Sequence, residues 1–144
     1  MNIFTIGFTQ KTAEQFFTRI KQPGLSRIVD TRLNNVSQLA GFTKKNDLKF
    51  FLREICRIEY VHLPLLAPTK DILDAYKKNG GDWATYERQF LQLMAVRRIE
   101  STVDKELISG GCLLCSEPTH EHCHRRLVAE YLREKWGDVE IRHV

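Results

Sequence analysis

The chain has 144 residues, about the size of one domain, with 42% hydrophobic and 28% charged residues. That balance indicates neither a disordered chain nor a membrane protein. Apolar runs such as Leu63-Pro64-Leu65-Leu66-Ala67 fall far short of the ~20 residues needed to span a bilayer. The net charge of +4, from 22 Lys+Arg against 18 Asp+Glu, weakly favours phosphate-bearing partners but lacks the dense basic patch of a dedicated nucleic-acid binder. The start, Met1-Asn2-Ile3-Phe4-Thr5-Ile6, lacks the basic opening of a signal peptide, so the expected location is the cytoplasm.

In chain order, Asn2-Ile3-Phe4-Thr5-Ile6 predicts a short buried strand ending at Gly7. Thr12-Ala13-Glu14-Gln15 has capping-box spacing and opens a helix whose apolar face is Phe16, Phe17 and Ile20. Pro23-Gly24 ends that helix, and Arg27-Ile28-Val29-Asp30 is the second strand. Residues 31–45 lack periodicity and form a long loop, a common place for function. Asn46 is a candidate cap for a helix with Leu48, Phe51, Leu52 and Ile55 on its buried face. Glu59-Tyr60-Val61-His62-Leu63 predicts a third strand, stopped by Pro64.

A helical segment then runs from Pro68-Thr69 through Tyr76, and Asn79-Gly80-Gly81 breaks it. Asp82 caps a helix carrying Trp83, Tyr86, Phe90, Leu91 and Met94, and helix continues across 97–109. Cys112-Leu113-Leu114-Cys115 is the fourth strand. A final helix is predicted over His120 to Lys135, with Leu127, Val128, Tyr131, Leu132 and Trp136 as its buried stripe. Val139-Glu140-Ile141-Arg142 closes the chain as a strand. Strands alternating with helices imply a single α/β domain over 1–144: three layers, with a mainly parallel sheet of about five strands and helices on both faces.

In such sheets ligands gather beyond the carboxyl ends of the strands. The polar strand ends are Thr9, Asp30-Thr31-Arg32, His62 and Cys115-Ser116-Glu117. Cys123 and His124 fall on the inward face of the final helix's first turn, where N–H groups and the dipole favour a thiolate or a bound anion. Arg125 and Arg126 add charge-assisted donors. Each of these residues also has a bland reading. Cys123 resembles any small buried hydrophobe, Arg126 has Glu130 at i, i+4, and Asp30 suits backbone acceptance at a strand end. Cys56 and His62 read as structural, and Trp83, Tyr86 and Phe90 read as core.

Four cysteines occur: Cys56, Cys112, Cys115 and Cys123. Without an export signal, reduced thiols are expected rather than disulfides. Cys112-x-x-Cys115 resembles half a zinc site, but residues three apart in a strand face opposite sides. An alternative zinc set is Cys115 and Cys123 with one or two of His120, His122 and His124. The reading adopted has no metal and no cofactor.

Thr5-Ile6-Gly7-Phe8-Thr9, Ile28-Val29-Asp30-Thr31-Arg32, Tyr60-Val61-His62-Leu63-Pro64 and Leu114-Cys115-Ser116-Glu117 with His122-Cys123-His124-Arg125 resemble the ordered motifs of the domain-of-unknown-function-488 family. The resemblance spans nearly the whole chain and implies an α/β three-layer fold with a site built from these motifs. It implies no particular activity. Phe8 stands where members commonly carry His. A looser likeness, at fold level, is to rhodanese-type and phosphatase-type domains, which also pair an Asp-x-Arg strand end with a later cysteine.

The expectation is an enzyme acting on a phosphate-bearing small molecule, a nucleotide, or nucleic acid. Asp30, Cys115, Glu117 and Cys123 are the candidate catalytic groups, and Thr9, Arg32, His124 and Arg125 the anion-binding ones. The alternatives are a non-catalytic nucleotide or nucleic-acid binding module and a zinc-stabilised interaction domain. No membrane partner is expected, and nothing in the sequence bears on oligomeric state.

Overall fold

A computed structural model describes residues 1–35, 41–78, 80–117 and 120–144. The middle of the long loop expected over 31–45, and Asn79 of the Asn-Gly-Gly break, lie outside the described residues. Five strands form one sheet: β1 (Asn2–Gly7), β2 (Arg27–Asp30), β3 (Glu59–His62), β4 (Gly111–Cys115) and β5 (Glu140–His143). Their order is β3-β2-β4-β1-β5. The sequence predicts a mainly parallel sheet, and each of these pairings is parallel.

The alternation of side chains along each strand separates two cores. On one face Phe4, Ile6, Ile28, Cys112 and Leu114 pack against Phe16 and Phe17 of α1 (Ala13–Arg19) and Leu48 of α2 (Lys45–Phe51). On the other, Ile3, Val29 and Leu113 pack under α4 (Trp83–Arg97) and α7 (His124–Trp136). Helix α3 (Lys70–Lys78) and the short α5 (Ile99–Thr102) and α6 (Lys105–Ile108) belong to this second side. The result is the three-layer α/β arrangement. Each fully buried Phe, Ile or Leu in these layers contributes about 1.5–3 kcal/mol.

Local signals explain most element boundaries. The capping box of α1 forms as spaced: Thr12 accepts from the Gln15 N–H, and the Gln15 side chain accepts from the Thr12 N–H. The stripe of α7 is buried at Leu127, Val128, Tyr131 and Leu132. Three expectations change. Lys44, not Asn46, occupies the N-cap of α2, without a side-chain cap bond. Helix α2 continues as a π-turn over Leu52–Cys56. The wider turn rotates Ile55 off the buried face, leaving it 45% exposed. Finally, α7 begins at His124 rather than near His120, with Cys123 at its N-cap.

Among the described residues, no helix is long and apolar enough to cross a membrane.

Candidate functional site

Strand β2 leads left to β3, and β4 leads right to β5 across β1. Their outgoing chains diverge on opposite faces, which opens a crevice beyond their carboxyl ends. A cleft of about 430 Å³ lies there, walled by Arg32, Leu33 and Asn34 after β2, by Cys115, Ser116 and Glu117 after β4, and by Phe8 after β1. Cys123 and His124 at the start of α7 complete its floor, and Tyr76, Lys77, Trp83 and Tyr86 form the facing side.

At the end of β2, Asp30 is fully buried and holds Arg32 in a two-pronged ion pair. Asp30 Oδ1 accepts from Arg32 Nε at 2.9 Å and Oδ2 from Arg32 Nη2 at 2.8 Å. The Tyr60 hydroxyl donates to the same carboxylate at 2.6 Å. Burial, then this carboxylate, push ionisation of the Tyr60 phenol well above its ordinary range. Arg32 Nη2 also donates to the Thr43 carbonyl at 2.7 Å, and the guanidinium lies 5.4 Å from the centroid of the Phe8 ring. Phe8 thus offers Arg32 a cation–π surface. Asp30 is consumed by these contacts. It anchors Arg32 and does not itself line the cleft.

The β1 end runs beside the β4 end. Phe8 N–H donates to the Cys115 carbonyl and Thr9 N–H to the Ser116 carbonyl, at 3.3 and 3.0 Å. The Thr9 hydroxyl also donates to the Ser116 carbonyl. Thr9 therefore fastens the loop after β4 rather than forming the cleft wall. Gly7 permits the crossing: a Cβ there would lie 1.5 Å from the Glu117 carbonyl oxygen and 2.9 Å from Arg125 Nη1.

The sequence offers Arg125 as a charge-assisted donor for a bound anion at the start of the last helix. The residue is instead 2% exposed. Its Nη1 donates to Cys115 Sγ and to the Glu117 carbonyl, both at 2.9 Å. Burial lowers its pKa to about 10, so it remains a cation at neutral pH. Arg125 sits over Gly7 on the α7 side, whereas Asp30 and Thr43 hold Arg32 on the α1–α2 side. The two guanidinium groups do not form one clasp. Arg32 lines the cleft, and the charge of Arg125 is turned to the Cys115 sulfur.

His124 is oriented by β2. Its Nε2 lies 2.8 Å from the Thr31 carbonyl oxygen and 3.0 Å from Thr31 Oγ1. The Thr31 hydroxyl donates to the Leu114 carbonyl at 2.8 Å. A carbonyl only accepts, so Nε2 carries the proton and Nδ1 keeps its lone pair. Burial holds the imidazole pKa down at about 4, so it is neutral.

Cys112 and Cys115 face opposite sides of β4, as the strand period requires, and Cys112 is part of the α1–α2 core. The expectation of reduced thiols is not met at the cleft: Cys115 and Cys123 are joined as a disulfide. The absence of a Cys112–Cys115 chelate does not remove the metal question. Donor atoms of Cys115, Cys123 and His124 lie within 4.8 Å of one another. Of the other two histidines of the segment, His122 lines the same cleft, stacked on Trp83, and His120 stacks on His143.

Of the residues singled out in the sequence, Arg32, Cys115, Glu117, Cys123 and His124 share the cleft, while Thr9, Asp30 and Arg125 support it from behind. The aromatic side was not foreseen. Trp83 and Tyr86 read as core from their spacing, and Tyr86 is buried in the core with Trp83 packed against it; what the spacing did not show is that the edge of this cluster also lines the cleft, with Tyr76 and His122 beside it.

Fold and site define an open parallel α/β protein with a cysteine-lined cleft at the carboxyl edge of its sheet. The model of the family described as Domain of unknown function DUF488 matches residues 12–132, and the chain belongs to that family. Comparisons with curated proteins and with solved structures find no match.

Proposed function

We propose that this chain is an enzyme acting on a phosphate-bearing small molecule, a nucleotide being the favoured class, with the Cys115–Cys123 pair as its reactive centre. The observation that carries this reading is the meeting of Arg32 and the two cysteines on the wall of one cleft. Asp30 fixes Arg32 through Nε and Nη2, and the buried Nη1, which has no hydrogen-bond partner among the described residues, is the guanidinium nitrogen left to donate to a phosphate oxygen. Lys77 adds a second cation, and the start of the 13-residue helix α7 adds backbone N–H groups with the positive end of a dipole. Tyr76, Trp83 and Tyr86 offer apolar surface for a planar ring. In the reduced protein the Arg125 guanidinium beside Cys115 favours the thiolate. Glu117, exposed on the wall, is the carboxylate available for proton transfer; Asp30, locked into its ion pair, is an anchor.

The test is calorimetric titration of the reduced protein with adenosine and guanosine mono-, di- and triphosphates and with inorganic phosphate, followed by product analysis of any ligand that binds. Saturable binding that weakens in Lys77→Ala, and roughly tenfold or more in Arg32→Lys, supports the anion site. Binding of none of these probes overturns it. Binding without product from any phosphate ester or anhydride makes the chain a binding module rather than an enzyme.

A further inference from the structure

We propose that, once reduced, Cys115, Cys123 and His124 form a three-ligand site for a zinc-class cation, with its fourth position open to the cleft. This deepens the proposed function, since the two thiols of its reactive centre become ligands of the cation rather than free nucleophiles, and it does not depend on which substrate the cleft takes.

The donor set comes first. Two thiolates and one imidazole are the ligands of borderline and soft cations such as zinc, and exclude magnesium or calcium. Around one zinc ion such donors stand about 3.5–4 Å apart. The three here already lie within 4.8 Å of one another. The Cα atoms of Cys115 and Cys123 are 7.4 Å apart, wider than the ~4.4–6.8 Å usual for a disulfide. That span suits two sulfurs facing a shared ion.

The surroundings come second. A ligating histidine ordinarily donates its other ring N–H to a carbonyl or carboxylate, which fixes the tautomer. His124 does so through Nε2 to the Thr31 carbonyl at 2.8 Å, leaving Nδ1 to bind. Cys115 Sγ accepts from Arg125 Nη1 at 2.9 Å, a contact that stabilises a thiolate without competing for the metal. Three different parts of the chain thus converge: the end of β4, the N-cap of α7 and, through Thr31, the end of β2.

The ligand count comes third. Among the described residues the donor atoms that gather are those of Cys115, Cys123 and His124 alone, and neither His120 nor His122 joins them as a fourth ligand. Cys115, Cys123 and His124 all line the cleft. A closed structural zinc site has four protein ligands, whereas an open one keeps a place for water or substrate. The geometry here is of the open kind.

The experiment uses the full chain, purified without chelator and reduced with a phosphine. The phosphine takes an oxygen atom from water as the disulfide accepts two electrons and two protons to give two thiols. Thiol titration then counts four free cysteines. Zinc added to this protein should be retained at one ion per chain through gel filtration. Cobalt(II) should give the ligand-field bands of a tetrahedral ion with a thiolate-to-metal charge-transfer band. Cys123→Ser and His124→Gln should each weaken zinc binding about tenfold or more, and Cys56→Ser should leave it unchanged. If a ligand variant fails to fold, the cobalt spectrum of the unaltered protein still decides. No retained zinc in the fully reduced chain, or a cobalt spectrum without thiolate charge transfer, overturns the proposal. So does a disulfide that resists the phosphine. Phosphate binding is scored separately, so either reading can fail alone.

Discussion

The Arg125 guanidinium donates to the sulfur of Cys115 at 2.9 Å, tying the first turn of α7 to the end of β4. The same nitrogen reaches the Glu117 carbonyl, so one side chain holds strand, loop and helix together. Arg125→Ala should therefore destabilise the fold by about 2–3 kcal/mol, the scale of lost hydrogen bonds from a buried charged donor. Urea denaturation of the two proteins measures this. A midpoint unchanged by the substitution would show that the contact is incidental.

Gly7→Ala should be more damaging. The added methyl would overlap the Glu117 carbonyl, 1.5 Å away. The obstacle is backbone fastened by Thr9 and Arg125, so it cannot swing aside cheaply. A loss of about 3 kcal/mol is expected, at the high end for overpacking. Thermal melting with near-ultraviolet circular dichroism reads both the stability and the packing at this edge.

The Asp30 carboxylate gathers Arg32 and Tyr60. Removing the hydroxyl alone, in Tyr60→Phe, should cost about 1.5–2 kcal/mol, because the bond goes to a charged acceptor. Arg32→Ala leaves a carboxylate buried without its counter-charge and should cost about 3–5 kcal/mol. The order of the two losses in chemical denaturation is the check. An equal effect would mean that Asp30 is stabilised chiefly by other groups.

Acid should weaken the fold partly through His143. Its Nδ1 lies 2.6 Å from Thr5 Oγ1, and its ring stacks on His120. Desolvation, then His120 and Arg125, with Arg126 adding and Glu130 opposing, hold its pKa down at about 4. The unfolded chain, titrating near ~6.5, takes up the proton first as pH falls. The stability from this group is thus intact above ~6.5 and is lost between there and about 4. Denaturation midpoints across that window should fall less steeply in His143→Gln. The slope should not vanish, since His124 is held low in the same range. Parallel slopes in the two proteins would remove His143 from the account.

Much of the architecture was legible because its signals are local. The Thr12–Gln15 box, the α7 stripe and the strand–helix alternation need no tertiary information. The π-turn at Leu52–Cys56 was not, because the spacing of Leu48, Phe51, Leu52 and Ile55 fits an ordinary α-helix. At the site, parallel topology brings Arg32 and the Cys115–Glu117 strand end to one cleft, with Asp30 behind its wall. The burial of Arg125 was hidden, since it depends on a loop crossing another strand. Gly7 carried a hint: a glycine at a strand end often marks close approach of another backbone. The spacing of Trp83 and Tyr86 shows that they share a helix face, but not that the face opens onto a cleft.

The position of β4 at the centre of the sheet has a consequence for how the chain assembles. β1 and β2 are not paired with each other; both pair with β4. Until Gly111–Cys115 has left the ribosome, the nascent chain can pair only β2 with β3, while β1 has no partner strand. The sheet then closes around a late arrival by contacts roughly a hundred residues apart, the kind of non-local pairing that slows folding and leaves strand edges bare in the interval. Growing chains that stop short of Gly111 should therefore be captured by chaperones, and chains extended through α7 should escape them.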